Sequence, residues 1–254
     1  MKKIGILYIC TGKYKLFWND FYKSCETYFL DNEKLEKHYY VFTDADNIEF
    51  ENEQQVHKIY QDALPWPYIT LYRYKIFNKI SRYLKKMDYL YFFNANMLFV
   101  DTINDEFLPK LNQKFSFLQH PGFYNKNNAD FTYERNSESL AFIAKGEGKY
   151  YFAGGLNGGN SKDYLLMSEK LEQNIDLDEK KDVMACWHDE SHLNRFAFEN
   201  QNIIKVIDPS YGYPEGWELP FLPKILIRDK KKYGGHDVLR NESSIFKKIY
   251  SWLR

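Results

Sequence analysis

The chain has 254 residues, with 35 lysines and arginines against 35 aspartates and glutamates, so its formal net charge is zero. A balanced charge produces no overall field that would gather nucleic acid, and no nucleic-acid partner is expected. The length suits one α/β domain. The three cysteines, Cys10, Cys25 and Cys186, follow no disulfide-framework spacing, which predicts reduced thiols and a cytoplasmic location.

The first part of the chain alternates predicted strands and helices. Continuous apolar runs predict strands over 3–10, 38–43 and 88–93. Apolar residues at helical spacing predict helices over 14–30 and 69–84. This alternation is typical of a parallel, nucleotide-binding sheet. The apolar run near the N-terminus is too short to span a membrane, and so is every later apolar segment.

The pattern becomes less regular after residue 94. Short apolar pieces at 97–100, 115–118 and 150–153 alternate with polar loops, which predicts a mixed sheet. Helices are predicted at about 161–175 and 190–199. The sequence therefore predicts an α/β fold of one domain over 1–254, with a Rossmann-like half at about 1–95 and a mixed-sheet half at about 96–241.

Three candidate sites follow predicted strands, where ligands bind in open α/β sheets. They are the segment from Thr11 to Tyr14, the tripeptide Asn94-Ala95-Asn96, and a predicted loop around Ala153-Gly154-Gly155. Two aspartates in the tripeptide would suit a divalent cation, whereas asparagines offer neutral oxygens and amide donors. The alternative is a turn in which the asparagines satisfy the backbone. The glycines indicate either close backbone approach or a pair of turns.

A fourth candidate is the stretch WHDESHLN at 187–194. Asp189 and Glu190 could stabilise a helix N-terminus, where acidic residues are common. The other interpretation is sugar chemistry, in which one acid orients hydroxyl groups and the other faces an oxocarbenium-like centre. The local sequence leaves both interpretations open.

Together these motifs resemble glycosyltransferase family 6, which contains the histo-blood-group A and B transferases and the α-1,3-galactosyltransferases. The resemblance runs from about residue 4 to residue 241. It rests on ordered matching strings, which are HYYVFTD (38–44), DYLYFFNANMLF (88–99), HPGFY (120–124), FTYER (131–135), YFAGGLNGG (151–159) and WHDESHLN (187–194).

The resemblance implies a GT-A fold, a UDP-galactose or UDP-N-acetylgalactosamine donor, and an α-1,3 linkage formed with retention. It places the nucleoside at Ile9, Thr11 and Tyr14, and the donor sugar at Arg73 and Asp189. It assigns the choice between galactose and N-acetylgalactosamine to Ala153 and Gly155, which flank Gly154. It places the acceptor at His120, Thr132 and Trp187. Glu190 matches the family's essential glutamate, a nucleophile or stabiliser at the anomeric carbon.

The main departure from the mammalian members is Asn94-Ala95-Asn96 in place of Asp-x-Asp. The loss of two carboxylates predicts an enzyme without a metal ion or other cofactor, like bacterial members with this substitution. Basic side chains must then neutralise the departing diphosphate. The candidates are Lys231, Lys232 and Arg240. The membrane anchor and stem of the Golgi members are not expected.

The expected donor is UDP-N-acetylgalactosamine, because Ala153 and Gly155 are small, with UDP-galactose as the alternative. The expected acceptor is a fucosylated galactoside such as 2'-fucosyllactose or the H antigen. A degenerate glycan-binding protein and an inverting transferase are the rival functions. An amphipathic tail at 242–254 could contact a membrane surface, or pack against the domain or another subunit.

Overall fold

Four neighbouring parallel strands form one half of the main sheet. In a computed structural model that describes residues 1–240, they are β1 (Lys2–Ile9), β2 (Leu35–Thr43), β3 (Val56–Tyr60) and β4 (Tyr89–Phe93), in the order β3-β2-β1-β4. The centres of β1 and β4 are buried, because a parallel sheet is covered on both faces. The runs predicted as strands over 3–10, 38–43 and 88–93 are confirmed.

The helices of this half are more broken than their spacing indicates. Helix α1 (Trp18–Tyr28) follows a 3₁₀ turn, so the predicted helix over 14–30 begins late. The predicted helix over 69–84 is divided into α2 (Tyr68–Leu71), α3 (Arg73–Asn78) and α4 (Ser81–Leu84). Tyr72 and Ile80, which directly precede α3 and α4, leave the helical conformation, with ψ of 13° and 17°. Helical spacing of side chains does not register such local breaks.

Three further strands complete a seven-stranded mixed sheet. Strand β7 (Phe152–Asn160) runs antiparallel to β4, β6 (Phe115–Gln119) runs antiparallel to β7, and β8 (Ile204–Ile207) runs parallel to β6. Helices α5 (Ser161–Glu179) and α6 (His188–Glu199) cover the predicted helical regions and extend them. The predicted α/β class, with a Rossmann-like part and a mixed part in one sheet, is confirmed.

The predicted loop around residues 153–155 was wrong, because these residues lie inside β7. The glycines of this strand serve close packing rather than turns. A Cβ at Gly158 would lie 2.1 Å from a ring carbon of Tyr91 on β4. Glycine within a strand often marks such a close approach, which the sequence pattern of a turn does not distinguish.

A small second sheet holds the end of the described chain next to the main sheet. Its strands are β5 (Met97–Phe99), β9 (Tyr213–Pro214) and β10 (Ile225–Ile227), in the order β5-β10-β9. A 3₁₀ turn (Lys230–Tyr233) and helix α7 (Gly235–Leu239) follow. Strands β3, β8, β9 and β10 were not predicted.

Two buried clusters lie on opposite faces of the main sheet. Ile6 and Tyr8 of β1 belong to the cluster around α1, whereas Leu7 belongs to the cluster under α3, α5 and α6, because successive strand side chains point to opposite faces. Within residues 1–240, no helix is both long enough and apolar enough to cross a bilayer. The predicted amphipathic tail at 242–254 lies outside the described residues.

Candidate active site

A cavity of about 310 Å³ opens at the carboxyl edge of the parallel strands. Its walls come from the ends of β1 and β4, the first half of β7, the start of α6 and the segment after β10. Most of the predicted site residues line it. They are Ile9, Thr11, Tyr14, Arg73, Asn94, Ala95, Asn96, Gly154, Gly155, Trp187, Asp189, Glu190 and Arg240.

Three predicted donor-side residues are not part of the cavity lining. Ala153 is buried in the core cluster around α1. Lys231 and Lys232 are exposed, and the Lys232 ammonium lies 2.6 Å from a carboxylate oxygen of Glu215. The lysine that lines the cavity is Lys230. The structure therefore places Lys230, and not Lys231 or Lys232, at the cavity.

Arg73 and Asp189 form a buried ion pair in the cavity wall. The guanidinium Nη1 lies 3.0 Å from the carboxylate Oδ2, and both side chains are about 5% exposed. Arg73 also donates a hydrogen bond to the carbonyl of Gly154 and lies over the ring of Phe92. Burial raises the pKa of Asp189 to about 6, against the lowering effect of Arg73. The ion pair holds the Asp189 carboxylate in position, and the remaining lone pairs of this carboxylate can accept hydrogen bonds from hydroxyl groups of a ligand.

Glu190 presents the second carboxylate and is fixed at both oxygens. The backbone N–H of Gly154 donates to Oε2 at 2.7 Å, and the hydroxyl of Tyr151 donates to Oε1 at 3.0 Å. Burial raises the pKa of Glu190, and these two hydrogen bonds oppose the increase. A carboxylate held in this way can face a developing positive charge without reorganising.

Two glycines of β7 make room for neighbouring side chains, Gly154 for Asp189 and Glu190 and Gly155 for Asn94. A Cβ at Gly154 would lie 3.2 Å from the Cβ of Glu190, and a Cβ at Gly155 would lie 2.8 Å from Nδ2 of Asn94. The close approach favoured for this stretch on sequence grounds is therefore present, although it occurs within a strand. The alternative of two glycine turns was wrong for Gly154 and Gly155.

The Asn94-Ala95-Asn96 segment is closely tied to the surrounding backbone. Asn96 donates from its side-chain amide to the carbonyl of Arg228 at 2.7 Å and is buried. The hydroxyl of Tyr8 donates to the carbonyl of Ala95 at 2.8 Å. The interpretation as a turn whose asparagine satisfies the backbone therefore describes Asn96. Across the described part of the chain, no three His, Cys, Asp or Glu side chains come together as a metal site would require.

The predicted acceptor residues gather around Tyr151, on the other side of Glu190. The imidazole of His120 contacts the Tyr151 ring edge to face at 5.7 Å. Thr132 is exposed, and its carbonyl lies 3.8 Å from Sγ of Cys186, the residue before Trp187. Neither His120 nor Thr132 lines the cavity itself. The structure thus brings them near the carboxylate through Tyr151 rather than by direct contact.

Two cations face two aromatic rings at the opposite wall. The Lys230 ammonium lies 5.3 Å from the Tyr14 ring centroid, and the Arg240 guanidinium lies 5.0 Å from that of Trp66. Burial, followed by the charge of Arg240, lowers the pKa of Lys230 to about 8. Two cations held this close raise the local positive potential and favour an anionic ligand.

Sequence reasoning missed Lys230, Trp66 and His188 among the lining residues. Trp66 stands between two prolines, a signal that could have marked it as a fixed aromatic residue. His188 has φ of +52°, a left-handed conformation that is uncommon outside glycine, and its ring contacts Trp66 at 5.2 Å. Such backbone strain concentrates at functional sites, but no sequence motif announces it.

Comparison with known proteins agrees with this arrangement. The sequence model of glycosyltransferase family 6 matches residues 2–241. The O-antigen biosynthesis glycosyltransferase WbnI of Escherichia coli is 33% identical over 229 residues, which make up 90% of this chain and 95% of the relative. Histo-blood group ABO system transferase 1 of Rattus norvegicus is 30% identical over 249 residues, or 94% of this chain and 68% of the relative.

A third relative is globoside alpha-1,3-N-acetylgalactosaminyltransferase 1 of Gallus gallus, which is 29% identical over 231 residues, or 88% of this chain and 65% of the relative. The fold, the cavity and these matches define the chain as a glycosyltransferase. It belongs to glycosyltransferase family 6, and the resemblance seen in the sequence motifs is confirmed.

Proposed function

We propose that the protein transfers N-acetylgalactosamine from UDP-N-acetylgalactosamine to a galactoside, forming an α-1,3 linkage with retention and without a metal ion. The acceptor is a fucosylated galactoside of the H-antigen type, and the reaction takes place in the cytoplasm. The relative named as a globoside alpha-1,3-N-acetylgalactosaminyltransferase supports this choice of donor and linkage, and the relative named as a histo-blood group ABO system transferase supports the choice of acceptor. UDP-galactose is the alternative donor.

The observation that carries the proposal is the fixed carboxylate of Glu190 beside the buried pair of Arg73 and Asp189. With the anomeric carbon against Glu190, the bond from that carbon to the diphosphate oxygen breaks and UDP leaves with the electron pair. The acceptor hydroxyl oxygen then bonds to the anomeric carbon, and its proton passes to the diphosphate oxygen of the departing UDP. Retention follows either from a glycosyl–Glu190 intermediate or from attack on the face that UDP leaves.

The donor lies across the carboxyl edge of the sheet in this proposal. Ile9, Thr11 and Tyr14 contact the uridine, and Arg73 with Asp189 holds hydroxyl groups of the sugar. Gly155 lines the cavity without a side chain, next to the amide of Asn94, which can donate a hydrogen bond to the acetamido oxygen of the donor sugar. The absence of a side chain at position 155 supports the larger donor sugar in this proposal.

The charge of the departing diphosphate is balanced by Lys230 and Arg240. Both line the cavity: Lys230 lies over Tyr14, where the nucleoside is proposed to bind, and Arg240 is near enough to lower the pKa of Lys230. Fixed cations of this kind stabilise a leaving group in the way that a bound divalent ion does in other transferases. Neutral asparagine oxygens at positions 94 and 96 would be weak ligands for such an ion.

A direct test measures UDP release from each of the two donors, with and without 2'-fucosyllactose. We expect faster release from UDP-N-acetylgalactosamine, stimulation by the acceptor, and an α-1,3 linkage in the product by NMR. Activity should survive exhaustive EDTA treatment with less than a twofold change. A strict requirement for added manganese would overturn the metal-free proposal, and glycan binding without transfer would identify the degenerate binding protein instead.

A further inference from the structure

The segment that carries Lys230 begins at Arg228, which is joined to Asn96 by two hydrogen bonds. The backbone N–H of Arg228 donates to the carbonyl of Asn96 at 2.9 Å, which extends the antiparallel pairing of β10 with β5 by one residue. The side-chain amide of Asn96 donates to the carbonyl of Arg228 at 2.7 Å, a bond that a backbone N–H supplies in a regular ladder. The chain therefore leaves the small sheet from a fixed point at the edge of the cavity.

The side chain of Arg228 joins the same point to the beginning of α1. Its Nη1 lies 2.8 Å from Oδ2 of Asp20, and its Nη2 donates to the carbonyl of Phe17 at 3.3 Å. The guanidinium lies 4.6 Å from the ring centroid of Phe17 and 5.7 Å from that of Tyr233. Arg228 is buried and lies outside the cavity lining. We refer to the contacts of Asn96 and Arg228 as the clamp.

The clamp holds both ends of the 3₁₀ turn that contains Lys230. Arg228 precedes this turn, and Tyr233 ends it. The Tyr233 ring packs edge to face on Phe17 at 4.7 Å, next to the guanidinium. The direction in which Lys230 points is therefore set by two attachments to the segment before α1.

Lys230 depends on such support because its surroundings oppose its charge. Burial and the charge of Arg240 both disfavour the protonated ammonium. Its ammonium lies over the ring of Tyr14, a contact of modest strength. A cation in this environment keeps its place only if the backbone that carries it is fixed.

The amide of Asn96 is suited to this task in a way that a carboxylate is not. An ionised carboxylate only accepts hydrogen bonds, so at position 96 it would face the carbonyl of Arg228 without a proton to share. Asparagine supplies the N–H group and adds no charge. The residue type at position 96 thus has a structural consequence for the basic segment.

We propose that Asn96 and Arg228 are positioning residues, which together hold the ammonium of Lys230 where the diphosphate binds. This inference rests on the proposed function, in which Lys230 balances the charge of the departing diphosphate. Asn96 assists the leaving group through the backbone of the basic segment rather than by contact with the ligand.

The test compares the binding of UDP and of uridine to Asn96→Ala and Arg228→Met by calorimetry. Uridine carries the base and the ribose but no phosphate, so a displaced Lys230 weakens UDP alone. We expect the Kd of UDP to rise about tenfold, as for loss of one charge-assisted contact, with the Kd of uridine unchanged. Arg228→Lys keeps a cation for Asp20 and should recover most of the UDP affinity.

Two matched controls lie at the far end of α6. Arg195, like Arg228, binds a carboxylate and a backbone carbonyl. Asn200, like Asn96, donates its side-chain amide to a backbone carbonyl. Arg195→Met and Asn200→Ala remove the same kinds of contact away from the cavity and should leave both affinities unchanged.

Repeating the two clamp substitutions in a Lys230→Met chain shows whether they act through Lys230. We expect no further loss of UDP affinity in this background, because the cation that the clamp positions is already absent. A direct effect of Asn96 on the ligand, or of the Arg228 charge across the cavity, would persist at full size and would overturn the inference. Equal losses for UDP and uridine, or no loss for UDP, would overturn it as well.

The inference and the proposed function can fail separately. Normal UDP binding without sugar transfer would refute the function, and the clamp would still be tested because its measurements require binding only. If the unchanged protein bound no UDP, a crystal structure of unliganded Asn96→Ala would decide. A Lys230 ammonium that still lay over the Tyr14 ring would refute the clamp, whereas a displaced ammonium would support it.

Discussion

The two charged walls of the cavity are built in opposite ways. On one wall, Arg73 and Asp189 are paired with each other and about 5% exposed, and they are mounted on helices that pack against the main sheet. On the other, Lys230 and Arg240 face aromatic rings and stand on a 3₁₀ turn of four residues and at the end of a helix of five. We refer to these as the helical wall and the basic wall.

The difference shows two uses of charge in one site. In the helical wall, each charge is compensated within the protein, so its geometry is set before a ligand binds. In the basic wall, two like charges stand close together, and burial already lowers the pKa of Lys230. The first arrangement suits orientation of a neutral sugar, whereas the second gains most when an anion arrives.

The largest expected effect comes from Glu190, which follows Asp189 of the helical wall on α6. Glu190→Gln keeps an oxygen for the N–H of Gly154 but removes the negative charge. We expect turnover to fall on the order of 1000-fold with UDP affinity unchanged, as for loss of a group that acts on the transition state. Steady-state kinetics and calorimetric UDP binding measure the two quantities.

Glu199→Gln is the matched control on the same helix, because Glu199 pairs with Arg195 at the surface. It should leave both quantities unchanged. Normal turnover of Glu190→Gln would show that Glu190 takes no part in the reaction.

A second experiment tests whether the stability of the helical wall depends on the balance of charge between Arg73 and Asp189. Asp189→Asn leaves the buried Arg73 without its anionic partner, and the free energy of unfolding should fall by about 3 kcal/mol. Urea unfolding measures it. Asp176→Asn is the control, since its partner Lys75 is 45% exposed and surface pairs contribute less than about 1 kcal/mol. Equal stability of the two variants would contradict the comparison.

The smallest expected effect lies in the basic wall and depends on pH. Lys230 must be protonated to attract a diphosphate, and its pKa of about 8 in the free protein means that the charge is present below pH 8 and lost above it. UDP affinity should therefore fall above pH 8, by at most about tenfold per pH unit. Calorimetric titration between pH 7 and 9.5 measures this decline.

Arginine keeps its charge throughout this range, so Lys230→Arg should weaken the decline. Lys232→Arg is the control, because Lys232 pairs with Glu215 away from the cavity and its pKa is raised by that contact. If the slopes of the two variants were the same, Lys230 would not bind the diphosphate.

The predictability of the fold follows the strength of the local pattern. Strands β1 and β4 were predicted because parallel strands buried on both faces are continuous apolar runs. The glycine-rich start of β7 was predicted as a loop and not as a strand. The role of its glycines depends on neighbouring strands, as at Gly158, which packs on Tyr91 of β4. Such a contact between distant residues leaves no trace in local spacing.

The candidate site was likewise predictable only where a local sequence motif marks it. The family resemblance of the ordered motifs assigned Asp189, Glu190 and the glycines at 154 and 155 to one site before any geometry was known. Which of three successive lysines faces the cavity could not be predicted, because the choice depends on a 3₁₀ turn. There, the Asp229 carboxylate accepts from the backbone N–H of Lys231 at 2.9 Å, and the cavity-facing residue is Lys230.

The distribution of thiols has a practical consequence. Cys10 and Cys25 are buried, and burial raises the pKa of each to about 12, so both resist alkylation. Cys186 is exposed and immediately precedes Trp187. A maleimide dye should therefore attach at this one native position, faster as pH rises because the pKa of Cys186 is also raised. The natural chain already carries an attachment point for a fluorescent reporter of glycan arrival.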